Sequence, residues 1–198
     1  MDLFVGDILF AINSNSVQLT GSDLVEIATN KKSLFLFRAD TPGDYSAGTF
    51  SVVLDNFSTN EVEGISLVEV DTMVGDTLLT AGTFLYNPGK SRDIFHYPAD
   101  GVGAGTTSGV TSTLIAGDDI NMNSNSAKVS GLDLIETDVD VGNMSLRSGN
   151  ILVTLDGNDA RVVNNNLAVT SNDVFYLDVT TTTLGPAHDE TGTTSADA

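Results

Sequence analysis

Apolar residues along this chain gather in runs of four to eight, rich in β-branched and aromatic side chains and bounded by Gly, Asn, Asp or Pro. That is the pattern of short strands separated by tight turns. The runs also repeat. Residues 64–76 (GISLVEVDTMVGD) match residues 131–143 (GLDLIETDVDVGN) without a gap at an offset of 67, with six of thirteen positions identical. The match continues through Leu79/Leu146, Gly82/Gly149 and Phe84-Leu85-Tyr86 against Ile151-Leu152-Val153. A weaker echo lies earlier, where Gly6-Asp7-Ile8-Leu9-Phe10 stands for Gly82-Thr83-Phe84-Leu85-Tyr86. Aromatic runs ending in Asp follow (34–40, 93–100 and 173–178), and two of them lead into a further strand at 48–54 and 109–115.

Each unit therefore predicts four strands, a to d, and the chain reads b-c-d, a-b-c-d, a-b-c. This gives a partial first repeat over 1–60, a second over 61–127, a partial third over 128–185 and a polar tail over 186–198. The predicted class is all-β, built of tandem four-stranded antiparallel units. A GLD-type opening strand, an ILVTL second strand, a DVFYLD third strand and a Gly/Thr-rich turn before the fourth resemble the blades of a β-propeller. The array is similar to tandem repeats of large bacterial secreted and surface proteins. The function of such repeats is generally unassigned, and the structural or adhesive role expected here rests on the tandem units, the Asp-rich turns and the lack of a catalytic constellation. Three blades or fewer do not close the usual ring of four to eight. The alternatives are a piece of a longer array, closure by self-association, or a β-sandwich packing of the same units.

Composition narrows the functional classes. The acidity comes from 21 Asp and only 6 Glu, and Asp favours turns where Glu favours helices. A net charge of −19, with eight scattered Lys and Arg, argues against nucleic acid or an anionic membrane as partner. The absence of cysteine removes disulfides, thiolate metal sites and thiol nucleophiles. No apolar run approaches the ~18 residues of a membrane span, and the first residues lack a cationic signal-peptide start. The expected location is extracellular or at a cell surface, with a halophile cytoplasm as the alternative.

Candidate chemistry is sparse. Calcium takes six to eight oxygens, which Asp/Asn/Gly turns supply. The clusters that offer them are Asp156, Asn158 and Asp159, and Asp118, Asp119 and Asn121, so Ca2+ is the expected ion. Neither is an EF-hand loop, and both also suit ordinary Asx turns. Glu69 and Asp71 recur as Glu136 and Asp138. Two carboxylates at i and i+2 share a strand face, and their duplication points to a solvated strand end or a repeated turn hydrogen bond more than to acid–base catalysis. His96 lies in an aromatic strand and His188 in the tail, so no Ser-His-Asp arrangement has support. The Gly-rich stretch 101–109 lacks the GK[ST] ending of a phosphate cradle.

The expected function is a non-enzymatic structural or adhesive module, self-associating through open β edges. The alternative is a ligand- or glycan-binding, or hydrolytic, propeller fragment, for which a surface glycan or protein is the partner.

Overall fold

The computed structural model describes residues 2–120, 122, 128–157 and 167–179, together with the backbone of 160–162 and 195–197. The described chain is all-β: one three-stranded, one five-stranded and one four-stranded sheet, with four two-stranded hairpins. The strand pairings with a resolved register are antiparallel, and an isolated parallel bridge joins Leu54 to Gly103. The sole helical element among the described residues is a 3-10 turn at Gly117–Ile120. The chain divides into two compact units, Met1–Val62 with Ala99–Gly109, and Glu63–Pro98 with Val110–Ala198.

Unit 1 contains β1 (Ile8–Ala11), the hairpin β2 (Gln18–Thr20) and β3 (Glu26–Ala28), β4 (Leu34–Thr41) and β5 (Asp44–Leu54). The sheet order is β1-β4-β5, so β1 is an edge strand. In register, Ile8 faces Phe37 and Ala11 faces Leu34. Leu34, Phe35, Leu36, Val53 and Leu54 are buried. A run of rings extends this core, with Phe10 against Phe35 at 5.9 Å, and Phe50 against Phe10 at 6.1 Å and Phe37 at 5.1 Å. The Gly-rich stretch folds back onto this unit. Gly103 N–H donates to the Val53 carbonyl at 2.7 Å and Gly105 N–H to the Asp55 carboxylate at 3.2 Å. Two of the loop's amides therefore serve the fold.

Unit 2 is built from two successive four-stranded meanders. The first comprises β6 (Val62–Leu67), β9 (Thr83–Pro88), β10 (Ile94–Gly101) and β12 (Ser112–Ile115), with the hairpin β7 (Thr72–Val74) and β8 (Thr77–Leu79) inserted after β6. The far end of β10, Ala99–Gly101, and the short β11 (Ser108–Gly109) that pairs with it fall in unit 1. The second comprises β13 (Val129–Leu134), β16 (Ile151–Leu155), β19 (Phe175–Asp178) and β20 (Ser195–Asp197). Two hairpins are inserted in it, β14 (Val139–Val141) with β15 (Met144–Leu146), and β17 (Ala160–Val162) with β18 (Leu167–Val169). Their orders, β6-β9-β10-β12 and β13-β16-β19-β20, reproduce the a-b-c-d order of the sequence repeat. β20 falls in the stretch read as a polar tail. Ladder hydrogen bonds come from the backbone, so Ser195, Ala196 and Asp197 can form a strand without the apolar pattern that would betray it.

Alternating burial of β16 and β19 puts every second side chain into one apolar cluster, as the two-residue period of a strand requires. Nineteen buried apolar residues form it, including Leu85, Ile94, Leu114, Ile151, Phe175 and Leu177. Both β7–β8 and β14–β15 turn through two residues, with Gly75 at φ 59° and Gly142 at φ 65°. A glycine at the first central position is what a type II′ hairpin turn demands.

Candidate functional site: the seam between repeats

Of the carboxylates singled out by repetition, Glu136 is engaged in holding one repeat to the next. β6 and β13 approach so closely at Gly64 that a Cβ there would sit 3.1 Å from the Leu132 nitrogen and 3.2 Å from the Gly131 backbone. Two residues on, Ser66 Oγ donates to Asp133 Oδ1 at 2.9 Å and accepts from Leu134 N–H at 3.2 Å. Three further on, the N–H groups of Glu69 and Val70 donate to Oε1 and Oε2 of Glu136 at 2.6 and 2.8 Å. Gly64/Gly131, Ser66/Asp133 and Glu69/Glu136 are all pairs at the repeat offset. Equivalent positions of the two repeats therefore meet each other, at a glycine, at a hydroxyl–carboxylate pair and at a two-amide clamp on one carboxylate.

Asp71 and Asp138 have a different and local task. Asp71 Oδ1 accepts from Ala81 N–H at 2.9 Å, and Asp138 Oδ1 accepts from Ser148 N–H at the same distance. The repeated turn hydrogen bond read from their spacing is present in both copies. The Ser148 amide, with Arg147 at 3.0 Å, holds the Asp138 carboxyl below its usual pKa.

A lead-in turn recurs before each second strand. Asp7 N–H bonds to Phe4 C=O, Thr83 N–H to Thr80 C=O and Asn150 N–H to Arg147 C=O, at 3.0, 3.0 and 2.9 Å. The intervening Gly6, Gly82 and Gly149 have φ of 96°, 90° and 91°. Side-chain oxygens brace two of these turns, with Phe4 N–H donating to Asp7 and Arg147 N–H to Asn150. Asp7 and Asn150 thus act as turn-bracing acceptors. Asp7 also binds Arg38 at 2.6 Å with its own side chain only 6% exposed, and this guanidinium depresses its pKa.

Of the expected calcium ligands, Asp118, Asp119 and Asp156 are among the described residues. Asp156 exchanges bonds with Lys128, accepting its N–H on Oδ1 at 3.0 Å. Asp118 pairs with Arg92 at 2.9 Å, and Asp119 lies beside it in the 3-10 turn. Asn121, Asn158 and Asp159 lie outside the described residues, as does His188. Among the described residues no three His, Cys, Asp or Glu cluster as a metal site. His96 sits on β10 between Leu85 and Ser112, and burial pushes its pKa down.

Unit 1 carries a shallow recess of about 380 Å³ lined by Asn15, Thr29, Asn30, Lys32 and Asn56, which the sequence reading did not single out. Lys31 N–H and Lys32 N–H donate to the side-chain oxygens of Asn15 and Asn30, and Asn30 Nδ2 donates to Asn56 Oδ1. Those bonds assign the amide orientations, with the side-chain oxygens of Asn15, Asn30 and Asn56 all acting as acceptors. No helix among the described residues is long and apolar enough to cross a membrane. In comparisons with known proteins, the chain matches no family model, no curated protein and no solved structure.

Proposed function

We propose that this chain is a non-enzymatic β-repeat module with a structural or adhesive role, secreted or held at a cell surface, whose meanders act as propeller-like blades. The observation that carries the reading is the seam, where residues 67 positions apart meet and Glu136 clamps the amides of Glu69 and Val70. The Glu136 carboxylate is committed here to joining repeats, and Asp71 and Asp138 to bracing turns. The cysteine-free, Asp- and Thr-rich composition supports the extracellular placement. Calcium enters this proposal as a stabiliser of the Asp-rich turns, and a rise in Tm with calcium that chelator reverses is its test. Turnover assays on glycosides, esters and phosphodiesters test the reading itself. The expected result is no rate that depends on Glu69, Asp71, Glu136 or Asp138; a rate abolished by Glu136→Gln in a folded variant overturns it.

The amide-lined recess of unit 1 favours a second reading, a glycan-binding module. Amide donors and a lysine suit sugar hydroxyls and ring oxygens. Retention on a glycan array that Asn15→Ala or Asn56→Ala abolishes would carry it.

A further inference from the structure

The three lead-in turns are alike, but only two of them are fully paired. In the first meander, Gly82 N–H donates to Val68 C=O and Val68 N–H donates to Thr83 C=O, both at 2.8 Å. In the second, Gly149 N–H donates to Ile135 C=O and Ile135 N–H to Asn150 C=O, at 2.8 and 2.9 Å. In each case the residue just past strand a exchanges two bonds with the turn, while strand a itself covers the edge of strand b, β6 on β9 and β13 on β16. β1 follows the same turn, and Gly6 has the same backbone conformation. Yet Gly6 N–H and Asp7 C=O meet no such residue among the described ones, and β1 is the edge of its sheet.

That edge also lacks the usual guards. Ile8, Leu9, Phe10 and Ala11 are all apolar, with no Lys or Pro to discourage pairing. Ile8 is 43% exposed and Val5 fully so. The one charge beside the edge, Asp7, is matched by Arg38.

We infer that unit 1 is a receptor for an extended strand supplied by another polypeptide, added antiparallel to β1. The inference rests on the repeat-module reading and names its partner. The two built-in examples define the chemistry of that partner: Val62-Glu63-Gly64-Ile65-Ser66-Leu67-Val68 and Val129-Ser130-Gly131-Leu132-Asp133-Leu134-Ile135 share the pattern V-x-G-[IL]-[SD]-L-[VI]. Its seventh residue exchanges bonds with Gly6 N–H and Asp7 C=O. Main-chain hydrogen bonds give such strand addition its affinity, and the alternate side chains give it selectivity. A second copy of this chain holds both its own a strands in its own sheets, so it is not the favoured donor.

The test adds a synthetic nonapeptide of the sequence 62–70 to the intact chain and follows amide exchange. The expected result is at least tenfold slower exchange at Gly6 and along β1, while the same peptide N-methylated at its seventh residue gives no slowing. No slowing at millimolar peptide, or slowing confined to other strands, overturns the inference. So does a doubling of mass without peptide that protects the same amides, since β1 then pairs with its own copy. The repeat-module reading is judged separately, by the turnover assays and by the stability of Glu136 variants, so either can fail while the other stands.

Discussion

At the scale of single residues, Glu69 and Glu136 give a controlled comparison, because they are equivalent in sequence and unequal in contacts. Glu136 accepts two amides across the seam, whereas the Glu69 carboxylate has no hydrogen-bond partner among the described residues. Hydrogen bonds to a charged group contribute about 1.5–3 kcal/mol each when buried, and less where water competes. Glu136→Gln is therefore expected to lower stability by about 1 kcal/mol in urea unfolding, and Glu69→Gln to leave it unchanged. Equal effects would mean that the clamp contributes nothing. The titrating groups act in one direction. Burial lowers the pKa of His96 from 6.5, so the folded chain binds its proton less readily than the unfolded chain does. That costs nothing above pH 6.5 and grows as pH falls below it. Asp7 and Asp138, held below 3.8 by Arg38 and by the Ser148 amide, contribute stability that is present above pH 3.8 and lost as pH falls further through their folded values. The expected acid profile thus has two steps, and His96→Gln removes only the upper one.

At the scale of elements, the lead-in turn separates backbone strain from steric conflict. Gly82 and Gly149 share φ near 90°, but a Cβ at Gly82 would meet nothing within 4 Å, while one at Gly149 would run into the Met73 carbonyl oxygen. Gly82→Ala is expected to cost about 1–2 kcal/mol from the left-handed backbone alone. Gly149→Ala is expected to cost about 1–3 kcal/mol more, because the neighbouring hairpin must shift. Thermal unfolding of the two variants measures the difference. These elements also show what the sequence could express. Strands b and c were legible because they are buried, so apolar runs such as Thr83–Pro88 stand out. The glycines of the hairpin turns were legible because a two-residue turn demands them. The β2–β3 hairpin and β20 were not, since Gln18–Thr20 and Ser195–Asp197 offer polar, short segments whose pairing is set by backbone partners. Of the seam, repetition marked Glu69, Glu136, Gly64 and Gly131. That equivalent residues would touch each other was not written in the repeat, because an offset fixes similarity and leaves packing open.

At the scale of the whole molecule, the two units differ in how much apolar surface they can withdraw from water. Unit 2 holds a contiguous cluster of nineteen buried apolar residues, whereas the buried apolar residues of unit 1 are Leu34, Phe35, Leu36, Val53, Leu54 and Val62. Hydrophobic stabilisation scales with buried apolar area, at about 25 cal/mol per Å². Local opening free energies follow it, with the sparsest cores opening first. Unit 1 is held in part by polar links, including Lys31 to Glu61 at 2.9 Å and Arg38 to Asp7 at 2.6 Å. Ion pairs of this partly exposed kind contribute about 0–1 kcal/mol and are screened by salt. Native-state hydrogen exchange should therefore show β4 and β5 exchanging through an opening of lower free energy than β9 and β16. Phe35→Ala should lower that opening by about 3–5 kcal/mol and leave β16 protection in place. Residues 99–109 belong to unit 1 although they continue β10, so the far end of β10, Ala99–Gly101, should exchange with β4 and β5 while Ile94–Tyr97 stays with β9. Protection that falls together in all of these strands would mean a single cooperative core, and the division of β10 between two folding units would be wrong.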